Sequence, residues 1–162
     1  MSWTTEFTWA LGLSALAAVF VAVAGGVLTE MSPWYYGLKK PSWKPPDWAF
    51  GPIWTVILIL AAISAALAWD TAPTSAAKTS VFTVLAVNSV LNIAWSGIFF
   101  KMRRPDWALI EVALLWLSIV ALIWVLGAQS ALAGWLMVPY LVWVSVASLL
   151  TLRIVQLNKP FA

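Results

Sequence analysis

Apolar residues run along this chain in long unbroken blocks, and the polar positions gather between them. Five blocks stand out: Phe7 to Leu28, Gly51 to Trp69, Thr79 to Phe100, Asp106 to Gly127 and Ala131 to Val155. Each comes near the roughly 20 residues that an α-helix needs to cross a hydrocarbon core. The pattern predicts an all-α integral membrane protein, a five-transmembrane-helix bundle filling residues 1–162 as a single domain. The one sizeable segment outside the spans is the loop 29–50 between the first two, and no internal repeat or low-complexity run interrupts the plan.

Composition strengthens this reading. The chain is 63% hydrophobic and 9% charged, with a mean hydropathy of +0.93, whereas soluble domains carry about 25% charged residues. It has neither cysteine nor histidine, which excludes thiol chemistry, disulfides, imidazole metal ligands and imidazole acid–base catalysis. The net charge of +3 comes from nine basic residues confined to short loops, a distribution that orients a membrane protein and does not suit nucleic acid. Lys39, Lys40 and Lys44 follow the first span, Lys78 the second, Lys101, Arg103 and Arg104 the third, and Arg153 and Lys159 lie at the C-terminal end. Alternate loops are therefore basic, and the positive-inside rule predicts an outside N-terminus and a cytoplasmic C-terminus. The opening Met-Ser-Trp-Thr-Thr-Glu lacks positive charge and its apolar run is long, so the first block reads as a retained span, not a signal peptide.

Few polar side chains fall within the spans. Asn88 and Asn92 share a helix face, suited first to bonding a neighbouring helix and second to a ligand's polar group. Glu111, about a turn and a half into the fourth span, reads as an interfacial carboxylate satisfied by headgroups or by Lys101, Arg103 or Arg104. Ala10, Ser14, Ala18, Ala22 and Gly26 form a ridge of small residues on the first span that favours close helix packing. No nucleophile–base pair can be assembled, and no span carries a charge near its midpoint, as ion and proton pathways usually do.

Thirteen tryptophans are more than an interfacial belt explains. Trp9, Trp48, Trp69, Trp107 and Trp135 sit near span ends, but Trp116 and Trp143 fall near mid-span, where an indole N–H needs a partner from protein or ligand. Pro139 is expected to bend the fifth span beside Trp143 and open an aromatic-lined cavity.

The loop from Pro33 to Thr55 holds five prolines and four tryptophans, a stiff and flat apolar segment fit to cover a pocket. It reads Trp34-Tyr35, Leu38, Lys40-Pro41, Trp43, Pro45-Pro46, Trp48, Phe50, Pro52 and Trp54 in register. That spacing resembles the signature of the translocator protein family (TspO/MBR), also called tryptophan-rich sensory proteins or peripheral-type benzodiazepine receptors. Asn92-Ile93-Ala94-Trp95, Phe99-Phe100, Trp107-Ala108 and Val138-Pro139-Tyr140-Leu141-Val142-Trp143 extend the resemblance over essentially the whole chain.

The resemblance implies a homodimeric five-helix bundle, in a bacterial cell envelope, with a cavity under the first loop. That cavity would take a porphyrin, protoporphyrin IX or haem-like, as ligand, with no cofactor or metal required. By motif position the pocket would comprise Trp34, Tyr35, Trp54, Asn92, Trp95, Trp107, Trp143 and Ala147. Lys39, Lys40 or Lys44 would meet the propionates. Trp54 and Trp143 match the tryptophans that bacterial relatives need for light-dependent porphyrin degradation, since an excited porphyrin can oxidise an indole. Sterols rank lower as ligands, because Thr151-Leu152-Arg153 lacks the tyrosine of the sterol motif. The expected function is thus a tetrapyrrole-binding sensor or carrier, with a photoreactive enzyme or a transporter of sterols and other hydrophobic ligands as alternatives.

Overall fold

A computed structural model describes residues 5–161, so most of the N-terminal hexamer, which has no basic residue, lies outside the described residues. The elements are α1 (Thr5–Leu28), α2 (Pro33–Gly37), α3 (Asp47–Thr71), α4 (Ser75–Ser96) running on through a π-helical turn (Gly97–Lys101), α5 (Pro105–Gln129), α6 (Ala131–Leu136) and α7 (Val138–Asn158). No strand occurs among the described residues. Five stretches are long and apolar enough to cross a membrane: Thr5–Leu28, Asp47–Thr71, Ser75–Lys101, Pro105–Gln129 and Ala131–Asn158. The protein is a multi-pass integral membrane protein built as an all-α, five-span bundle.

Several helices begin before their apolar blocks because polar first turns suit helix N-termini. Asp47 opens α3 beside the positive end of its macrodipole. The Thr74 hydroxyl accepts the Ala77 N–H at 3.1 Å, capping α4. Pro105 starts α5 where a missing N–H costs nothing. The fifth span departs from the expected single helix. It breaks at Met137 into α6 and α7, with Pro139 in the first turn of the new helix, where it forfeits no hydrogen bond.

α5 is the centre of the bundle, packing on α4, α6, α7 and part of α3. Its buried stripe Ala108, Val112, Leu115, Ile119, Leu122 and Leu126 repeats at alternating steps of four and three, the spacing of one helix face. In lipid the tails are as apolar as leucine, so close backbone approach matters more than hydrophobic burial. Small side chains supply it: Ala62, Ser64, Ala65, Ala66 and Ala68 are buried on α3, and α5 meets α6 at Gly127 and Gly134. A Cβ at Gly134 would lie 2.9 Å from Gly127 Cα and 3.1 Å from the Ile123 carbonyl oxygen. The Ser64 hydroxyl donates to the Ala133 carbonyl at 2.7 Å, fixing α3 on α6.

Glu111 does not occupy the expected interfacial position. It belongs to the buried face of α5, is 7% exposed, and neither carboxylate oxygen has a partner among the described residues. Two of the three cations expected to reach it are committed elsewhere, Arg104 to Asp106 and Lys101 to Glu30.

Candidate functional site

The loop after α1 folds down as a lid. α2 starts at Pro33 and turns Tyr35 inward, where its ring lies 5.5 Å from that of Phe100. The π-helical turn prepares that seat: the Met102 N–H bonds five residues back to the Gly97 carbonyl at 2.9 Å, widening the helix so that Phe99 and Phe100 both point into the protein. Trp95 stacks on Phe99 at 5.2 Å, and Trp34 meets Phe99 edge-on at 6.2 Å. Together with Ala108, Leu150 and Ile154, these rings form an apolar seat beneath the lid.

Polar contacts fix the lid's outer side. The Tyr35 hydroxyl donates to Asp47 Oδ1 at 3.1 Å, and Lys44 pairs with the same carboxylate. Burial, with the Asp47 charge beside it, pushes the Tyr35 phenol well above its ordinary pKa. Lys40 lies over the Tyr35 ring and donates to the Tyr35 and Leu38 carbonyls. Burial lowers its pKa, and the neighbouring Lys44 adds to that.

Below the lid lies a cavity of about 820 Å³, within the size range of small-molecule sites. It exists because α3 packs on α1 and on α6 but leaves α7 at a distance near the lid. Aromatic side chains bridge that gap. Phe50 meets Trp143 edge-on at 5.3 Å, and Trp54 meets Tyr140 at 5.8 Å. The far wall is α1, whose Ala18, Ala22 and Gly26 present small side chains to the space. The small-residue ridge is thus divided: Ala10 is buried in a cluster with Phe7 and Ala66, while its later members face the cavity.

Six of the eight residues expected at the pocket line this cavity: Tyr35, Trp54, Asn92, Trp95, Trp143 and Ala147. Trp34 lies behind Phe99 in the lid seat. Trp107 is half exposed under the Arg104 guanidinium, 4.6 Å from its ring centre. Neither lines the cavity. Sequence reasoning missed Asp47, Phe50 and Phe100 as wall residues. Phe50 and Phe100 stood in quoted motifs, but apolar residues in a greasy chain carry no mark of which face they occupy.

The wall's chemistry is apolar with a few polar atoms. The buried indole N–H groups of Trp95 and Trp143 have no acceptor among the described residues, whereas Trp116 donates to Ser145 Oγ at 2.9 Å. Asn92 donates to the Tyr140 hydroxyl at 2.7 Å, Tyr140 donates to Asn88 Oδ1 at 3.2 Å, and Asn88 donates to Ser118 Oγ at 2.9 Å. The two asparagines thus tie α4 to α7 and α5. None of Lys39, Lys40 and Lys44 lines the cavity; Lys40 and Lys44 are engaged with lid carbonyls and Asp47. Among the described residues no cluster of acidic side chains suited to a metal occurs.

Comparison with known proteins agrees with this architecture. The profile of the TspO/MBR family matches residues 13–157. The Tryptophan-rich protein TspO of Chlorobaculum tepidum is 39% identical over 140 residues, 85% of this chain and 89% of that protein. Protein CrtK of Rhodobacter capsulatus is 35% identical over 152 residues, covering 91% of this chain and 95% of the relative. The Translocator protein of Homo sapiens is 35% identical over 113 residues, 69% of this chain and 67% of its own. With a match over most of its length and relatives at this level, the chain belongs to the TspO/MBR family.

Proposed function

We propose that the cavity under the lid binds a tetrapyrrole of the protoporphyrin type and that the protein acts as a membrane sensor or carrier for it. The observation that carries this reading is the pairing of flat aromatic walls with two unpartnered indole donors, Trp95 and Trp143, on one large apolar space. A planar macrocycle stacks on indoles, and its polar edges offer acceptors to N–H groups. Lys44 is a candidate for the propionates only by leaving Asp47, and Lys40 only by leaving the lid carbonyls. The names of two relatives, a tryptophan-rich sensory protein of Cereibacter sphaeroides and the human Translocator protein, favour sensing and translocation without separating them.

Titration of the purified protein with protoporphyrin IX in the dark tests the proposal. Saturable tryptophan quenching, weakened by Trp143→Phe, is the expected result. Light-driven porphyrin degradation is a second reading, favoured by the presence of both Trp54 and Trp143 on the cavity wall. It predicts loss of the porphyrin absorption band under illumination, abolished by Trp54→Phe or Trp143→Phe. We further propose a homodimer in a bacterial envelope membrane, on the likeness to bacterial members of the family, with the N-terminus outside and the C-terminus cytoplasmic, on the charge asymmetry of the loops.

A further inference from the structure

Next to the main cavity, deeper in the membrane, is a second and smaller space of about 90 Å³. It shares Ala18, Val21, Leu58, Ala62 and Asn92 with the main cavity, so the two adjoin. Both linings are mostly apolar, but the small space gathers five polar side chains around little room. Ser14, Asn88, Ser89, Asn92 and Tyr140 all border the small space, and none of them is charged.

Hydrogen-bond accounting shows unused capacity there. Asn92 spends one N–H on Tyr140, and its carboxamide oxygen accepts nothing from the described residues. Asn88 spends one N–H on Ser118 and its oxygen on Tyr140. Ser89 is committed to the Leu85 carbonyl. A carboxamide offers two donors and two acceptor positions, so both asparagines retain sites to fill. At mid-membrane depth such groups are costly unless paired.

We propose that this annex is a hydrated polar subsite that holds a small cluster of water. A volume of this size accommodates about three molecules, whose polar partners would be the unspent positions of Asn88 and Asn92, the Ser14 and Tyr140 hydroxyls and one another. The absence of charge in the lining suits water or a neutral hydrogen-bonding group and disfavours a carboxylate or ammonium. Through Asn92 the cluster reaches the main cavity, where it meets the inner edge of any occupant. On the reading of the main cavity as a ligand site, that edge is then recognised through water by donor or acceptor groups, not by shape alone.

The test reads water directly and needs no ligand, so its failure is distinct from failure of the tetrapyrrole reading. In lipid bilayers, water-edited solid-state NMR measures magnetisation transfer from water to the side chains of Asn88 and Asn92. Transfer at both is expected, with loss of the signal in Ala61→Leu, whose new side chain occupies a wall position that borders only the annex. Should Ala61→Leu fail to fold, Ala17→Leu on α1 serves in its place, since Ala17 also borders the annex and not the main cavity. Transfer from lipid acyl chains in place of water, or transfer from neither, overturns the proposal. Unchanged water transfer in a folded filling variant overturns it equally.

Discussion

The side chain of Asn158, at the end of α7, holds the main chain of Lys39 in the lid from both sides. Its oxygen accepts the Lys39 N–H at 2.8 Å and its amide donates to the Lys39 carbonyl at 2.8 Å. A third bond, to the Ile154 carbonyl at 2.8 Å, orients the carboxamide on its own helix. One side chain thereby satisfies the main-chain donor and acceptor of one lid residue across 119 positions of sequence.

Asn158→Ala removes both lid bonds while leaving the aromatic seat intact. Each bond contributes about 1 kcal/mol net, so the Lys39 amide should exchange with deuterium at least several-fold faster, with little change in melting temperature. Unchanged exchange at Lys39 contradicts the latch.

The crossing of α5 and α6 predicts a sharp contrast between glycines. Gly134→Ala pushes a methyl against the Gly127 backbone, and overpacking of this kind costs roughly 1–3 kcal/mol or more. Gly12→Ala meets nothing within 4 Å and sits inside α1, where alanine is favoured by about 1 kcal/mol. Melting in detergent should fall for the first variant and hold or rise for the second.

Glu111 stands buried without a partner among the described residues. Replacing an unsatisfied buried polar group by an apolar one of similar size removes a penalty of about 1–3 kcal/mol. Glu111→Leu is therefore expected to raise the melting temperature, and a marked fall would show that the carboxyl has a stabilising partner in the membrane.

Tyr35 makes the lid sensitive to alkali. Its phenol titrates higher in the folded lid than in an unfolded chain, so the folded state binds this proton more tightly. The resulting stability is whole below the ordinary tyrosine pKa of about 10 and is lost as pH rises beyond it. Lid opening, read by the fluorescence of a probe on the lid, should increase above that pH, and Tyr35→Phe should abolish the dependence.

How far the sequence revealed this architecture depends on the kind of signal. Five apolar blocks gave five spans, because length and hydropathy are what a bilayer selects. The motif residues from the lid, α3, α4 and α7 converged on one cavity because the signature records positions, as Trp54, Asn92 and Trp143 show. Rotation about a helix axis was not legible where every face is apolar. Glu111, expected at the interface, is therefore buried, and Trp107, expected at the pocket, is turned outward beneath Arg104. The surroundings of the lysines were illegible for a different reason: charge on a loop says nothing about local carbonyls and carboxylates, and Lys40 and Lys44 bond to those of the lid itself. The break at Met137 was foreshadowed by Pro139, though as a bend and not as two helices.

The central claim is that the cavity receives a tetrapyrrole against Trp143. Its most direct measurement is the dissociation constant for protoporphyrin IX in the dark, by tryptophan quenching, for the wild type, Trp143→Phe and Trp116→Phe. Trp116 is an internal control, since its indole is paired with Ser145 and does not line the cavity. Loss of one indole donor and part of its ring face is expected to weaken binding roughly tenfold, about 1.4 kcal/mol, in Trp143→Phe and hardly at all in Trp116→Phe. Equal affinity in all three proteins, or no saturable binding in the wild type, would contradict the assignment of this cavity.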